Sequence, residues 1–496
     1  MDLTAHLPAL QVIVPMLAAP LVLLLRPRGL AWAGATATAL LSFCIALSMA
    51  IAVAGGAHFR YDMGGWTAPY GIELSVGAFS ALVLLVITGA GALSLLAARP
   101  SIDRQIEQER QPLFYSAWLL ALAGLVGITV SADAFNIFVF MEISSLASYV
   151  LIAGGPDRRA LPAVFKYLIM GTIGATFYLI GVGLVYMMTG TLNLADMEAR
   201  IGGVTDINPI LVAAGFITIG LALKAAVFPL HVWLPNAYTH APHMVTVFLA
   251  ACATKVAIYV LIRFDFSVFQ ANLPGHQFQF SLFLLPLALM GILVASAVAM
   301  FEGHLKRLLA VSSIAQIGYI MLGASFLTQD GLVASLSHMF NHALAKGGLF
   351  LAVACLACHY RDLRLAQLAG AARTMPFTAA AMVVCGFSLI GIPGTAGFIS
   401  KWLLIGAALE QGSLGYLLVA IILVSSLMAL VYIWRVVETL NFKPPLVQAD
   451  GPGEAPLQLL LVTWVVALAN IVFGFLPQFP LALSTAAAKL LLVQNL

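Results

Sequence analysis

Long apolar segments separated by short polar loops follow one another along almost the whole chain. Each segment is close to the roughly 20 residues that an α-helix needs to cross a lipid bilayer. The pattern therefore predicts an all-α polytopic membrane protein with about fourteen transmembrane helices. The predicted segments are 7–25, 30–54, 72–98, 113–131, 134–153, 161–188, 209–228, 244–262, 281–301, 308–327, 332–357, 377–409, 414–440 and 457–475.

Proline and glycine interrupt the apolar pattern at two places. The seventh segment runs into AAVFPLHVWLPNAYTHAPH, which contains Pro229 and Pro235, and the twelfth contains Pro393 followed by Gly394. Proline removes a hydrogen bond from a helix, and glycine lets the backbone turn. Irregular backbone at membrane depth persists only where it is buried in protein or lines a wet cavity. We therefore predict two broken helices beside a transport path.

A faint internal repeat relates the two halves of the chain. Segment 166–197 aligns without gaps on 337–368, and this offset of 171 residues spans five predicted helices. Repeats offset by an odd number of helices lie upside down relative to each other, as in many transporters. We therefore predict two inverted five-helix repeats. The predicted division is an N-terminal three-helix region (1–112), a first repeat (113–275), a second repeat (276–443), and a C-terminal helix and tail (444–496).

The composition narrows the class of protein. Hydrophobic residues make up 62% of the 496 residues, charged residues make up 9%, and the mean hydropathy is +1.03. These values exclude a soluble globular protein. The net charge of +3 is scattered along the chain, which argues against nucleic-acid binding. All five cysteines fall in apolar segments, so we expect no disulfide framework.

A cofactor is not expected. The run Cys355-Leu-Ala-Cys358-His359 matches the c-type haem attachment pattern. It lies at the predicted inner end of a membrane helix, whereas such haems are attached outside, so we interpret it as a chance match. The sequence contains no glycine-rich phosphate loop, Rossmann pattern or nucleophile motif. We therefore expect a transporter subunit with no active site of its own.

The basic residues of the loops predict the orientation. With the N-terminus outside, fourteen basic residues fall on the inner side and four on the outer side, as the positive-inside rule requires. An even number of helices then places both termini on the outer side, and we expect the cell (inner) membrane. The inner set is Arg26, Arg28, Arg99, Arg104, Arg110, Arg158, Arg159, Lys306, Arg307, Arg361, Arg364, Arg373, Arg435 and Lys443, and the outer set is Arg60, Arg200, Arg263 and Lys489.

Five charged side chains lie deep inside apolar segments: Glu142, Lys224, Lys255, Lys346 and Lys401. A charge at this depth costs on the order of 3 kcal/mol, and such residues usually serve transport. Glu142 is the deepest acid, and Lys224 directly precedes the first break. We predict that these two form a coupled pair in which withdrawal of the acid lets the lysine release its proton. A purely structural role is the alternative for this pair, and also for Lys255 and Lys401.

The eleventh segment carries a stripe of titratable residues. His338, His342 and Lys346 are spaced by four, which places them on one face of a helix. Because histidine titrates near neutral pH, the stripe predicts a proton relay. Two histidines at this spacing could also bind zinc, but no cysteine or acid is near in sequence to complete a site. We therefore expect no metal.

Three further residues have two interpretations each. Lys166 lies near the start of the sixth segment, where it either takes part in transport or extends to the inner surface. His231 and His243 flank the first break. They either hydrate or gate the break, or they cap loose backbone.

Several of these motifs occur in one known family. Glu142 in its apolar segment, Lys224 before WLPNAYTHAP, Lys255 with Tyr259, HMFNHALAKGGLF and IPGTAGFISKW together resemble the antiporter-like subunits of respiratory complex I, membrane hydrogenases and Mrp-type Na+/H+ antiporters. The resemblance covers about 110–405. One departure is Ala241-Pro242-His243, where the family commonly has a small hydroxyl residue in place of the histidine.

The resemblance implies roles for the buried residues. Glu142 and Lys224 become the proton input pair, and Lys401 becomes the output residue. The implied central relay consists of Lys255, His338, His342 and Lys346.

The resemblance also implies a function. We expect a proton-translocating subunit of a multisubunit membrane complex, closest to the D-type member of the Mrp antiporters. The alternative is a proton-pumping subunit of an NADH-quinone oxidoreductase or membrane hydrogenase, and a stand-alone small-solute permease is a lesser alternative. The expected partners are other membrane subunits, protons, the lipid bilayer and, in the antiport case, Na+, but not nucleic acid.

Overall fold

The computed structural model describes residues 3–25, 29–269, 276–445 and 453–493. Within these ranges the chain is almost entirely helical, and thirteen helices are long and apolar enough to cross a membrane. The short helical turns of Leu365–Arg373 are bent by 114° from the helix Pro376–Ile390 that follows them. If these two are counted as one span, the number rises to fourteen. The prediction of a nearly all-helical polytopic membrane protein is confirmed. Arg26 and Arg28, two of the residues used for the orientation, lie outside the described ranges.

Eighteen α-helices form the described part of the chain. Several of them carry proline at the first or second position, which fits the first turn because its missing N–H has no partner there in any case. The helices are α1 (Leu7–Leu23), α2 (Leu30–Ala54), α3 (Ala78–Gln105), α4 (Gln111–Val130), α5 (Ala134–Ala153), α6 (Ala160–Thr189), α7 (Leu194–Ile201), α8 (Asn208–Ala225), α9 (Leu234–His240), α10 (His243–Arg263), α11 (His276–Phe301), α12 (Leu305–Ser325), α13 (Gln329–Leu356), α14 (Pro376–Ile390), α15 (Ala396–Leu409), α16 (Ser413–Asn441), α17 (Leu457–Phe475) and α18 (Gln478–Val493).

The twelfth predicted segment, 377–409, is two half-helices rather than one span. Helix α14 ends at Ile390 and α15 begins at Ala396, with Pro393 and Gly394 in the turn between them. Gly391 and Gly394 both have positive φ angles, of 91° and 87°, which a residue with a Cβ atom rarely adopts. The predicted break is therefore present, as an irregular segment between two half-helices.

Two elements differ from the sequence-based expectation. A small antiparallel hairpin pairs β1 (Phe59–Asp62) with β2 (Glu73–Val76), so the fold is not purely α-helical. The predicted third span includes the apolar residues of β2, whereas the helix in fact begins after Gly77. Helix α18 is the second difference, because it follows the last of the predicted segments. It is apolar but only 16 residues long, below the length that marks a span.

The two halves repeat the same backbone contacts at the predicted spacing. Asp133 forms an isolated antiparallel bridge with Asn193, and His304 forms one with Arg364. Both members of the second bridge lie 171 positions after those of the first. Helices α4, α5, α6, α8–α9 and α10 recur in the same order as α11, α12, α13, α14–α15 and α16. This repetition supports the two five-helix units that we propose.

Three helices occupy the centre of the molecule. In their most apolar stretches, 94% or more of the residues of α10, α12 and α13 are buried, whereas at most 39% are buried in α1, α2, α6, α11, α16 and α17. Helix α13 packs against α10, α12, α14, α15 and α17. Lys255 on α10 and Lys346 on α13 therefore lie among other helices and not in lipid.

Candidate functional site

The predicted acid–lysine pair is brought together by α5 and α8. The Nζ atom of Lys224 lies 3.4 Å from Oε1 of Glu142 and 2.7 Å from Oγ of Ser145. The Lys224 side chain is 7% exposed, but that of Glu142 is 29% exposed. The lysine is thus enclosed by protein, while its acid partner lies at the lateral surface of the chain.

The backbone breaks directly after Lys224. Helix α8 ends at Ala225, and Ala226 adopts a left-handed conformation with φ of 57°. The indole Nε1 of Trp233 donates to the Leu223 carbonyl at 3.0 Å, which satisfies one of the free carbonyls at the helix end. Pro229 lies in the irregular segment. Pro235 instead lies in the first turn of α9, where proline is compatible with a helix.

A small cavity adjoins the lysine. Its volume is about 30 Å³, and it is lined by Ser145, Ser148, Tyr167 and Lys224 on one side and by Val256 of α10 on the other. This space accommodates a water molecule and little more. It extends from Lys224 toward the helix that carries Lys255.

Lys255 lies near the centre of α10 and is almost completely buried. Its Nζ atom donates to the Ala250 carbonyl within the same helix. Within the described ranges no carboxylate forms an ion pair with it. In the described part of the chain the Ala250 carbonyl is the one hydrogen-bond acceptor of this amine, which leaves two N–H positions for water.

The predicted histidine stripe of α13 lies between α12 and α15. The Nδ1 atom of His338 lies 2.9 Å from Oγ of Ser400, and its Nε2 atom lies 2.9 Å from Oε1 of Gln316. The His342 ring is stacked on the His338 ring with centroids 6.3 Å apart. Both ring nitrogens of His342 are buried without a hydrogen-bond partner in the part of the chain that the structure describes. Buried polar groups of this kind are usually satisfied by water.

Lys346 completes the stripe and is anchored to α12. Its Nζ atom donates to the Leu309 carbonyl at 2.7 Å and to the Ser312 hydroxyl. The side chain is fully buried. His338, His342 and Lys346 therefore form one continuous titratable face in the centre of the bundle.

Lys401 lies at the second helix break, on α15. Its Nζ atom donates to the Ile390 carbonyl at 2.7 Å, to the Leu389 carbonyl at 3.3 Å and to Oγ of Ser426 at 3.1 Å. It also lies 4.9 Å from the centre of the Tyr319 ring, a cation–π distance. The lysine thus holds the free carbonyl end of α14.

The three residues with two interpretations occupy different environments. Lys166 is exposed on α6 and forms no hydrogen bond or ion pair with the described residues. The His231 ring stacks on Phe228 in the first break. His243 begins α10 and lines a wide pocket together with Lys306.

Sequence reasoning missed the polar groups that hold the buried charges. Ser145, Gln316 and Ser400 contact Lys224 or His338, but a serine or glutamine in an apolar helix does not reveal which neighbour it faces. The charge of Lys306 assigns it to a loop in the sequence-based prediction. It instead belongs to the first turn of α12 and is only 2% exposed.

Side chains suited to a metal ion do not cluster in the described ranges. No group of three or more histidine, cysteine, aspartate or glutamate side chains there could hold a metal. Cys355, from the haem-like run, is buried and its Sγ atom lies 3.4 Å from Oγ1 of Thr463.

Comparisons of this chain with known proteins point to one family. A family described as "NADH:quinone oxidoreductase/Mrp antiporter, TM" matches residues 131–429. The N subunit of the NADH-quinone oxidoreductase of Desulforudis audaxviator is 39% identical over 491 residues, which cover 95% of this chain and 96% of that protein. The D subunit of the Na+/H+ antiporter of Alkalihalophilus pseudofirmus is 30% identical over 370 residues, covering 74% and 73%.

A solved structure shows the same architecture over almost the whole chain. A chain of the membrane-bound sulfane sulfur reductase, an archaeal respiratory membrane complex, aligns with a TM-score of 0.90 and 31% identity, covering 98% of this chain and 97% of that one. The resemblance inferred from the motifs is therefore confirmed. The chain belongs to the transmembrane protein family of NADH:quinone oxidoreductases and Mrp antiporters.

Proposed function

We propose that this chain translocates protons across the membrane as one subunit of a multisubunit complex. The observation that carries the proposal is the contact of the Lys224 amine with Glu142 and Ser145, directly before a broken helix. A lysine with an adjacent acid and irregular backbone can change its proton occupancy when either neighbour moves.

The pair provides a simple switching element. While the carboxylate of Glu142 remains at 3.4 Å, it stabilises the charged form of Lys224. Withdrawal of the carboxylate removes that stabilisation and favours release of the proton. The water-sized cavity next to Lys224 offers the released proton a route toward α10.

The other buried groups continue the proposed path from the last helix of the first repeat into the second repeat. Lys255 comes first, the α13 stripe follows, and Lys401 at the second break is the output residue. Each of the lysines contacts a backbone carbonyl and carries further N–H groups. We propose that water and hydroxyl groups between them pass the proton along the centre of the membrane.

The exposed face of α5 is the surface on which we propose that a partner subunit binds. Glu142 lies at the centre of a stripe of exposed apolar residues on this helix. A carboxylate that faces lipid at mid-membrane is costly, so we propose that another membrane subunit covers this stripe. The residues of the stripe are Phe135, Val139, Glu142, Leu146 and Val150.

Two driving reactions are candidates, and each has a supporting similarity. Redox coupling is favoured by the match of 39% identity over 95% of the chain with the N subunit of an NADH-quinone oxidoreductase. Cation/proton exchange, the sequence-based prediction of a D-type Mrp protein, is favoured by the 30% identity to the D subunit of an Na+/H+ antiporter. Purification of the complex through a tag on this chain distinguishes them, because dehydrogenase or hydrogenase subunits identify the first and small Mrp-like subunits the second.

We further propose that the complex lies in the cell (inner) membrane with both termini of this chain on the outer side. The fourteen-to-four distribution of basic residues between the inner and outer ends of the predicted segments supports this orientation.

The direct test is proton transport by membrane vesicles that contain the assembled complex. Lys224→Ala and Glu142→Ala are each expected to abolish proton transport while the complex still co-purifies. Normal transport by either variant would contradict the proposed mechanism.

A further inference from the structure

A wide polar pocket opens at the loop ends of both repeats, and we call it the vestibule. Its volume is about 610 Å³. It lies where the α5–α6 loop, the end of α9, the starts of α10 and α12, and the loop after α13 meet. By the distribution of basic residues this is the inner side. The titratable lining includes Asp157, His240, His243, His304 and Lys306.

Lys306 is the buried cation of the vestibule. Its side chain lines the pocket but is only 2% exposed, and its Nζ atom donates to the Ala241 carbonyl at 2.8 Å. No carboxylate lies within ion-pair distance of it among the described residues; Asp157 instead pairs with His240 and Arg159. A buried cation without an acid partner carries a desolvation cost of several kcal/mol. The two remaining N–H positions of Lys306 have no protein acceptor in the described chain.

The repeat architecture does not require this lysine. The position 171 residues earlier, in the same first turn of the corresponding helix α5, is Phe135, which is 47% exposed. An aromatic residue is therefore compatible with the same backbone. The cost of burying Lys306 is specific to the second repeat, as expected for a functional group.

Helix α12 connects Lys306 to the central relay. Leu309 lies one turn after Lys306 on the same side of the helix, and its carbonyl accepts a hydrogen bond from Lys346. The hydroxyl of Ser312, which also binds Lys346, lies six residues from Lys306, or about 9 Å along the helix axis. The water path that we propose along α12 has to bridge this rise. Lys306 thus lies between an open pocket and the titratable face of α13.

We propose that Lys306 is the proton-uptake residue of the second repeat, taking protons from water in the vestibule and delivering them along α12 to Lys346. The inference rests on the proposed function. In the step, the neutral amine of Lys306 accepts a proton from a hydronium ion in the vestibule and leaves water behind, and the resulting ammonium passes a proton through bridging water to the neutral amine of Lys346. No bond other than those to the moving proton changes, and no oxidant or reductant is needed.

A structural role is the competing explanation and makes different predictions. Ala241 is the C-terminal cap of α9, so Lys306 also stabilises the end of that half-helix. Lys306→Gln and Lys306→Arg both retain an N–H group that can reach the carbonyl, but neither releases a proton at ordinary pH. Lys306→His retains a titratable group.

The experiment measures the initial rate of proton transport in vesicles that contain the full complex. Lys306→Gln and Lys306→Arg are expected to lower the rate about tenfold or more, with assembly unchanged. Lys306→His is expected to retain part of the rate, with its pH profile displaced to lower pH. The matched control is Lys443→Gln, which removes an exposed lysine paired with Glu438 on the same side and is expected to leave the rate unchanged.

The outcomes separate this inference from the function on which it rests. Wild-type rates with Lys306→Gln or Lys306→Arg overturn the uptake role and leave a helix cap. Failure of both variants to assemble assigns Lys306 to folding and also overturns it. If Lys224→Ala is inactive while Lys306→Gln is normal, only this inference is lost; if Lys224→Ala transports normally, the proposed function is lost.

Discussion

The amine of Lys224 lies closer to Ser145 than to Glu142, at 2.7 Å from the hydroxyl oxygen and 3.4 Å from the carboxylate oxygen. Ser145 is one turn after Glu142 on α5. The hydroxyl therefore holds the lysine in place whether or not the carboxylate remains. This arrangement separates positioning of the amine from control of its charge.

Replacement of Ser145 tests that separation. Ser145→Ala removes a hydrogen bond to a charged group, which typically contributes about 1.5–3 kcal/mol. We expect proton transport to fall roughly fivefold to tenfold without being abolished, because Glu142 still contacts Lys224. The measurement is the initial transport rate in vesicles. Ser94→Ala is the control, since the Ser94 hydroxyl bonds only to carbonyls of its own helix; an equal loss in both variants would contradict the interpretation.

The His338–Gln316 contact predicts a variant with lower stability and slower transport. Gln316→Leu leaves a buried imidazole nitrogen without its partner at 2.9 Å, a loss of about 1–3 kcal/mol. We expect a lower unfolding temperature of the purified complex together with a reduced transport rate. Gln316→Glu retains an acceptor oxygen and is expected to retain more of the rate. A Gln316→Leu complex with unchanged stability and rate would show that the contact is dispensable.

His304 lies in the vestibule, outside the membrane spans, and its environment predicts how the free energy of unfolding depends on pH. Burial, followed by the nearby charge of Lys306, lowers the pKa of His304 from about 6.5 to about 4. Between these values the folded chain binds fewer protons than the unfolded chain, so falling pH destabilises the folded state. The contribution of His304 is fully present above about pH 6.5 and is lost as the pH falls toward 4.

Unfolding temperatures measured from pH 7 to pH 4.5 check this prediction. His304→Gln is expected to flatten the pH dependence, and the difference from the unmodified chain should grow as the pH falls. A variant whose pH dependence matches that of the unmodified chain would remove His304 as the cause.

The exposed stripe of α5 predicts an interface. Phe135→Ala combined with Leu146→Ala removes apolar contact area around Glu142, so we expect reduced co-purification of a partner subunit. Because lipid fills the space equally well at a free surface, Leu427→Ala combined with Leu423→Ala on the exposed face of α16 is the control. Equal recovery of the partner with both double variants would place the α5 stripe against lipid.

The architecture could be predicted largely from the sequence because membrane helices are marked by length and hydropathy. Helix α18 and the hairpin of Phe59–Asp62 with Glu73–Val76 could not, since one is too short and the other adjoins an apolar helix. The proximity of Glu142 to Lys224 could be anticipated from the cost of burying each charge alone.

The hydrogen-bond partners of the buried charges could not be predicted from the sequence. Contacts such as Lys346 with Ser312, or Lys401 with Ser426, join helices that are distant along the chain. They depend on helix rotation, which a uniformly apolar sequence does not specify. Lys306 differs in the opposite way, because its charge predicts a solvated loop position, whereas the side chain is buried in the first turn of α12.

Different chemical groups hold the ends of the two broken helices, so the two repeats are not equivalent at their breaks. Trp233 fixes the end of α8 with an indole N–H that stays neutral, whereas Lys401 fixes the end of α14 with an amine that can gain or lose charge. If protons pass as proposed, the contact of Trp233 keeps the same charge, whereas the contact of Lys401 with the end of α14 is stronger when the amine is protonated than when it is neutral. The two repeats thus end their broken helices with one contact of fixed charge and one contact whose charge can change.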